Sequence, residues 1–363
     1  MEQTTRKRIG ILTFHCARNY GAVLQTYALQ EFLKSQNNEV DIINYTPSFL
    51  QLDRKLYSKK TFKDRSMLGK IKQLIVSPLT YSKKIARARI FALFSNKNLE
   101  VKDIDSNIIY DLVIVGSDQV WNLNLTEGED PFYGGETNKI SRNRLISYAA
   151  SIGHCPINAS NCQSWNKYLN NFDDVSVREY SLVEIFENIS HKKISNVLDP
   201  VLLLGQEKWD RLITDSINEK YVLVYQIYSN KNVIAIANKL ANERGAKVIE
   251  LSSKVDIYTK KSKKENVSVE QFLAYFRYAE CVVTTSFHGT AFSIINRKPF
   301  YTVKMGEGID ARASDLLNSL GLSNRLIEKS DRPTFQEVNY SEAETLLDNQ
   351  QANSINFLLR NIK

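Results

Sequence analysis

The chain has 363 residues, 43% of them apolar, and a net charge of +8; that length exceeds what one hydrophobic core usually supports, so an ordinary globular protein of two domains is expected. Four cysteines without a C-x-x-C pair make no disulfide framework, and no run reaches the roughly 18 apolar residues of a membrane span. The basic start MEQTTRKRIGILTFHC resembles the opening of a secretory leader, but its apolar stretch breaks at Thr13 and His15 and no small-residue cleavage site follows, so a soluble, cytoplasmic protein is expected.

In chain order, residues 8–14 predict a first strand. Residues 21–34 predict a helix whose Leu24, Tyr27, Ala28, Leu29, Phe32 and Leu33 leave few polar positions, so it must lie against a sheet. A strand at 39–45 completes a βαβ unit. A basic insertion at about 51–102 then interrupts, expected as one long helix with a mobile flank. Within 51–100, thirteen Lys or Arg face only Asp53, Asp64 and Glu100, a local charge of +10 that leaves −2 for everything else. Such a patch can be the solvated face of a surface insertion, or can draw a protein to nucleic acid, anionic lipid or a phosphorylated substrate. No nucleic-acid motif accompanies it; the functional expectation is an anionic membrane surface.

Strands follow at 110–115, 145–150 and 174–177, each trailed by polar or small residues. Near Leu198-Asp199-Pro200 the alternation restarts. Strands at 221–227, 246–251, 279–286 and 300–304 alternate with helices at 231–243, 268–279 and 311–319. The fold class read from this is α/β, two doubly wound Rossmann-like domains facing across a cleft. A long polar helix at 341–360 closes the chain and is expected to cross back to the first half. Clefts of this kind are the usual place for a small-molecule site.

The stretch TTSFHGTAFS puts His288, one of four histidines, between an apolar strand and a helix expected to open at Gly289 and Thr290. Strand-to-helix turns at sheet edges bind ligands, and helix N-termini favour anions. A satisfied structural histidine is the alternative. Lys304 ends the next strand and Arg178 closes one in the first half; either could be an ordinary surface cation, but Arg, Lys and His⁺ converging would suit a small polyanion with a carboxylate and a phosphate. In Gly116-Ser117-Asp118-Gln119-Val120-Trp121-Asn122, Asp118 could cap a helix, or with Trp121 could hold a sugar through its hydroxyls and a ring face. Trp121 is equally readable as core, and the glycine of Asn19-Tyr20-Gly21 as a tight packing turn. His15 is a weaker candidate for proton transfer. His154, Cys155, Cys162 and His191 fit no common zinc spacing, so no metal is expected.

Six segments in order, N-Y-G-A-x-L-Q-x-Y-A-L (19–29), V-G-S-D-Q-V-W-N (115–122), S-Y-A-A-S-I-G (147–153), S-V-R-E (176–179), L-D-P-V-L-L-L (198–204) and S-F-H-G-T-A-F-S (286–293), resemble the polysaccharide pyruvyl transferase family. The resemblance runs from about residue 8 to 320 and leaves the basic insertion aside. It implies a GT-B-like fold, with an acceptor-side domain over 1–200, a donor-side domain over 201–340 and the closing helix over 341–363. It also implies phosphoenolpyruvate as donor and a saccharide acceptor, attached to a lipid carrier, that becomes a cyclic pyruvate ketal in capsule or exopolysaccharide assembly at the inner membrane face. Neither a cofactor nor a nucleic-acid partner is implied. By this resemblance Arg178, His288 and Lys304 bind the donor, with Gly289 and Thr290 beside the histidine; Arg312, in the 311–319 helix, is a further candidate anion contact by its position alone. Asn19, Tyr20, Gly21, Asp118 and Trp121 face the acceptor, and His288 and Asp118 are the candidate acid and base. Two rival functions remain at this level: a nucleotide-sugar glycosyltransferase of the same architecture and a non-catalytic saccharide-binding protein.

Overall fold

The computed structural model describes residues 6–50, 67–227, 229–252, 263–306, 308 and 310–363; in the helix that opens at Met67, side chains are described from Thr80 onward. Arg54, Lys55, Lys59, Lys60, Lys63 and Arg65 of the basic insertion, with its expected flank, lie outside the described residues.

The first half runs β1 (Arg8–Leu12), α1 (Tyr20–Ser35), β2 (Glu39–Ile43), α2 (Met67–Asn98), β3 (Val101–Lys102), β4 (Ile109–Tyr110), β5 (Leu112–Val115), α3 (Leu123–Thr126), β6 (Ser141–Arg142), β7 (Leu145–Ser147), α4 (Ala159–Asn171), β8 (Val175–Val177), α5 (Val183–Ser190) and β9 (Ile194–Asn196). Its sheet has the order β3-β2-β1-β5-β7 and is parallel throughout. Isolated bridges Ile146–Asp174 and Ala150–Val177 carry it on towards the β8–β9 pair.

The second half runs α6 (Gln206–Asp210), β10 (Tyr221–Gln226), α7 (Lys231–Arg244), β11 (Lys247–Ser252), β12 (Lys263–Lys264), α8 (Val269–Tyr278), β13 (Cys281–Thr284), α9 (Phe287–Ile295), β14 (Phe300–Val303), α10 (Ala311–Ser319), β15 (Leu326–Ile327) and α11 (Ser341–Ile362). Its six strands are also all parallel, in the order β12-β11-β10-β13-β14-β15. The protein is therefore α/β, with two Rossmann-like sheets in a GT-B-like arrangement.

Strand alternation explains how both faces of each sheet are covered. In β5, Leu112 and Ile114 join one apolar cluster while Val113 and Val115 join another. In β10, Tyr221, Leu223 and Tyr225 face the first cluster again, and Val222 and Val224 a third. One cluster is thus shared by the two halves, with α1 inside it, which is why that helix is buried on nearly every side. Tyr20 belongs to this seam: its ring stacks on Phe272 at 4.3 Å and its hydroxyl donates to the carbonyl of Val267 at 2.8 Å. A seam so apolar holds the halves in one relative position.

Two further elements cross it. From α2, Arg87 is buried over the rings of Tyr20 and Phe91 and donates to the carbonyls of Ser252 and Arg18, while Lys83 pairs with Glu265 at 2.9 Å. These two cations of the basic insertion are structural, a difference from the solvated or membrane-facing stretch expected, because an aromatic pair and carbonyls supply a buried guanidinium with partners. At the chain's end, α11 touches the first half. Ser354 accepts from the Leu198 amide at 2.9 Å and Arg360 pairs with Asp174 at 2.9 Å.

Candidate active site

The carboxyl ends of both sheets open onto one cleft, the usual place for a small-molecule site in folds of this kind. Asn19 follows β1, Asp118 and Gln119 follow β5, and His154 lies beyond β7. From the other side come Ile227 after β10, Thr285 to His288 after β13, and Arg312 in α10. A second cavity adjoins it; Phe287 and Arg312 line both, and Arg178 and Asp199 line only the second.

His288 sits in the first turn of α9, which begins at Phe287, two residues earlier than the expected opening at Gly289, because Ser286 accepts from the Gly289 amide as the N-cap. Its ring is wedged between halves. Gly21 at the start of α1 lies so close that a Cβ there would overlap Nδ1, Cγ and Cε1. On the opposite edge, Nε2 is buried, has no hydrogen-bond partner among the described residues, and stands 3.6 Å from Oδ2 of Asp199.

Asp199 lies in the segment that joins the halves and its carboxylate is fully buried. Oδ2 accepts from Nη1 of Arg178 at 2.6 Å and from the Ser117 hydroxyl at 3.2 Å, and Oδ1 accepts from the Val201 amide at 3.1 Å. Burial alone would raise its pKa, but the positive charges of His288 and Arg178, with the Val201 amide, outweigh that and hold the carboxyl well below the ordinary carboxylate range.

Arg178, 3% exposed, also faces Glu179 at 3.5 Å and Asp118 at 3.9 Å, lies 4.7 Å from the Phe287 ring centre, and keeps one buried nitrogen, Nη2, without a hydrogen bond. Burial pushes the Glu179 carboxyl up despite Arg178, and its Oε2 is buried with no partner. Asp118 takes a left-handed backbone, φ +72°, which aspartate tolerates better than most residues, and accepts from the Gln119 amide rather than capping a helix; Asn122 caps α3. Arg312 is half-buried and makes no hydrogen bond or ion pair among the described residues. Burial first, and the positive charge of Arg178 second, lower its pKa. Glu179, Asp118 and Asp199 act on it in the opposite direction without pairing with it, and a guanidinium with no ion pair among the described residues, at the edge of a cleft, is a place where an anion can be held.

The sequence model of the polysaccharide pyruvyl transferase family matches residues 19–305. The chain belongs to this family. No curated protein matches it in sequence. Among solved structures it is similar in fold to UDP-N-acetylglucosamine 2-epimerase from Rickettsia bellii, at 8% identity and a TM-score of 0.44, covering 98% of this chain and 96% of that one. The Neisseria meningitidis UDP-GlcNAc 2-epimerase bound to UDP-GlcNAc gives 12% and 0.44, covering 98% and 100%. The chain spans 64% of the Thermobaculum terrenum O-GlcNAc transferase, at 11% identity and a TM-score of 0.38 over 98% of its own length. No functional assignment rests on these three.

Of the residues expected at the site of this pyruvyl transferase, Asn19, Gly21, Asp118, His288 and Arg312 lie in or against the cleft, and Arg178 joins them through Asp199. Lys304 is not among the residues that line it: its ammonium pairs with Glu328 at 2.7 Å on the surface, a carboxylate that follows the neighbouring edge strand β15. Tyr20 is committed to the apolar seam, and Trp121 is fully buried with its indole nitrogen donating to the Tyr133 carbonyl, so neither presents a ring to a sugar. Thr290 is buried and bonded to Ser286 and Thr302; Gly289 lets α9 approach the side chain of Thr284. Asp199, Glu179 and His154 were not expected. The first two stand inside L-D-P and S-V-R-E, and the available signal was the acid directly after Arg178 in the second of these; an exposed histidine such as His154 carried none.

Proposed function

We propose that the chain transfers pyruvate from phosphoenolpyruvate to a saccharide, forming a cyclic ketal. The observation that carries this reading is Arg312, a cation with no hydrogen bond or ion pair among the described residues, in the cleft that His288 also lines and beside the cavity that Arg178 lines. Phosphoenolpyruvate is a compact anion with both a carboxylate and a phosphate, which matches cations gathered from two sides.

The chemistry follows from the donor. A proton passes from the His288 imidazolium to the methylene carbon; the electron pair of the double bond forms the new C–H bond and leaves an oxocarbenium-like carbon. One sugar hydroxyl adds to that carbon and gives its proton to the neutral imidazole or to Asp118. The carbon–oxygen bond to phosphate then breaks, phosphate departs with the electron pair, and the neighbouring hydroxyl adds to the oxocarbenium carbon so formed, closing the ketal and giving its proton to the departing phosphate. One group acts as acid and then as base, and the balance needs no added cofactor.

The acceptor in this reading is a lipid-linked sugar of capsule or exopolysaccharide assembly, handled at the inner face of the membrane. Arg89, Leu93 and Lys97 of α2 support it: spaced four apart, they form one exposed row, with Leu93 70% exposed. Among the described residues no helix is long and apolar enough to cross a membrane.

Arg312→Ala is the direct test of the donor site. Because the guanidinium leaves no hydrogen-bond or ion-pair partner behind among the described residues, folding should be unchanged while calorimetric affinity for phosphoenolpyruvate falls about 10- to 100-fold, the scale of one charge-assisted contact. Unaltered affinity would refute this placement.

A further inference from the structure

Resting on that reading, we propose that Asp199 is a positioning residue for His288: it keeps the proton of the neutral ring on Nε2 and leaves Nδ1 as the nitrogen that meets the substrate. The argument starts from the ring's two edges. Nε2 is buried and faces a buried carboxylate oxygen at 3.6 Å, with no other partner among the described residues. A lone pair on Nε2 would point at a carboxylate already rich in negative charge, whereas an N–H there points at an acceptor. That separation closes to a hydrogen bond with a shift of well under 1 Å, as such pairs often do when substrate binds.

The other edge packs against a glycine and borders the cleft. Any side chain at 21 would occupy the space at Nδ1 and Cε1, so only glycine lets the first turn of α1 approach the ring this closely, and His288 lines the cleft while Nε2, not Nδ1, is the buried nitrogen. Asp199 is itself held on three sides, by Arg178 Nη1 at 2.6 Å, Ser117 Oγ at 3.2 Å and the Val201 amide at 3.1 Å. It therefore cannot turn away from the imidazole. Arg178, Ser117 and Gly21 belong to the first half and His288 to the second, with Asp199 on the segment between them. The ring's orientation thus depends on both halves.

The test is long-range ¹H–¹⁵N correlation of the full chain labelled at histidine nitrogens, without donor or acceptor, with His288 assigned among the four histidines by its loss in His288→Gln. The neutral ring is expected as the Nε2–H tautomer; an Nδ1–H tautomer overturns the proposal. In Asp199→Asn the amide must set a donor against either the Val201 N–H or the Arg178 and His288 side, so the Nε2–H preference should weaken and kcat fall about 100-fold or more. A variant that keeps both the tautomer and kcat contradicts the assignment. Should that variant not fold, the wild-type spectrum alone decides. Since the tautomer is read on the resting protein, it stands apart from the question of which donor is consumed: a chain that ignores phosphoenolpyruvate yet shows Nε2–H refutes the reaction and not the pairing.

Discussion

Replacing Gly21 by alanine puts a methyl group against the His288 imidazole. The added Cβ would sit 2.5 Å from Cε1 and closer still to Cγ and Nδ1, where real Cβ atoms keep at least 3.0 Å. The ring or the first turn of α1 must therefore retreat by more than about half an ångström in a site packed as tightly as any core. Alanine favours a helix over glycine by about 1 kcal/mol, and overpacking costs about 1–3 kcal/mol, so the net change in folding stability is small, about 0–2 kcal/mol. Catalysis is far more sensitive: a misplacement near 1 Å costs about 100-fold. Gly21→Ala should thus remain folded, with a melting temperature within a few degrees of wild type, yet release phosphate from phosphoenolpyruvate and acceptor about 10- to 100-fold more slowly. Wild-type turnover in this variant would refute the placement of His288 against α1 as a requirement of the reaction.

Two other outcomes follow from charge. Neutralising Arg89 and Lys97 should reduce co-sedimentation with anionic liposomes, whereas neutral liposomes should show no change; equal binding by both proteins returns α2 to an ordinary solvated face. Asp199, held below the ordinary value near 3.8, contributes stability that is present above about pH 4 and lost as pH falls towards its folded value. Glu179, raised above 4.5, has the opposite sign, since its ionisation as pH rises costs stability. Denaturation from pH 3 to 7 should accordingly show the gap between wild type and Asp199→Asn narrowing below pH 4, and Glu179→Gln gaining relative to wild type above pH 5. A gap for Asp199→Asn that is independent of pH contradicts the ion pairing described.

Much of the architecture was readable because it depends on local pattern. Alternating apolar runs placed β1, β5, β10 and β13, and the amphipathic stretch at 311–319 became α10 over the same residues. His288 was legible as a strand-end residue since an apolar run and a glycine bracket it; the helix start was misread because Ser286, the actual cap, looked like the strand's last residue. What failed was tertiary. Tyr20 and Trp121 lie in polar-looking motifs, yet their large apolar surfaces are buried by partners distant in sequence, Phe272 in one case and Tyr168 with Phe172 and Phe186 in the other. Lys304 and Arg312 both follow β14, and nothing local says that Glu328 holds the first while the second has no hydrogen bond or ion pair among the described residues. Asp199 and Glu179 matter through the cation they share, Arg178, and that relation exists only once β8 and the joining segment are side by side. Arg87 counted as surface charge until two rings and two carbonyls enclosed it.

The central claim is that cations and an imidazole drawn from both sheets grip one small anion and deliver its three carbons to a sugar. Mass spectrometry of saccharide acceptors incubated with the full chain and phosphoenolpyruvate tests it most directly. The account predicts an acceptor heavier by pyruvate less water, with one phosphate released for each, and neither change in His288→Gln. An acceptor that gains mass only from a nucleotide sugar, with phosphoenolpyruvate left intact, would contradict it.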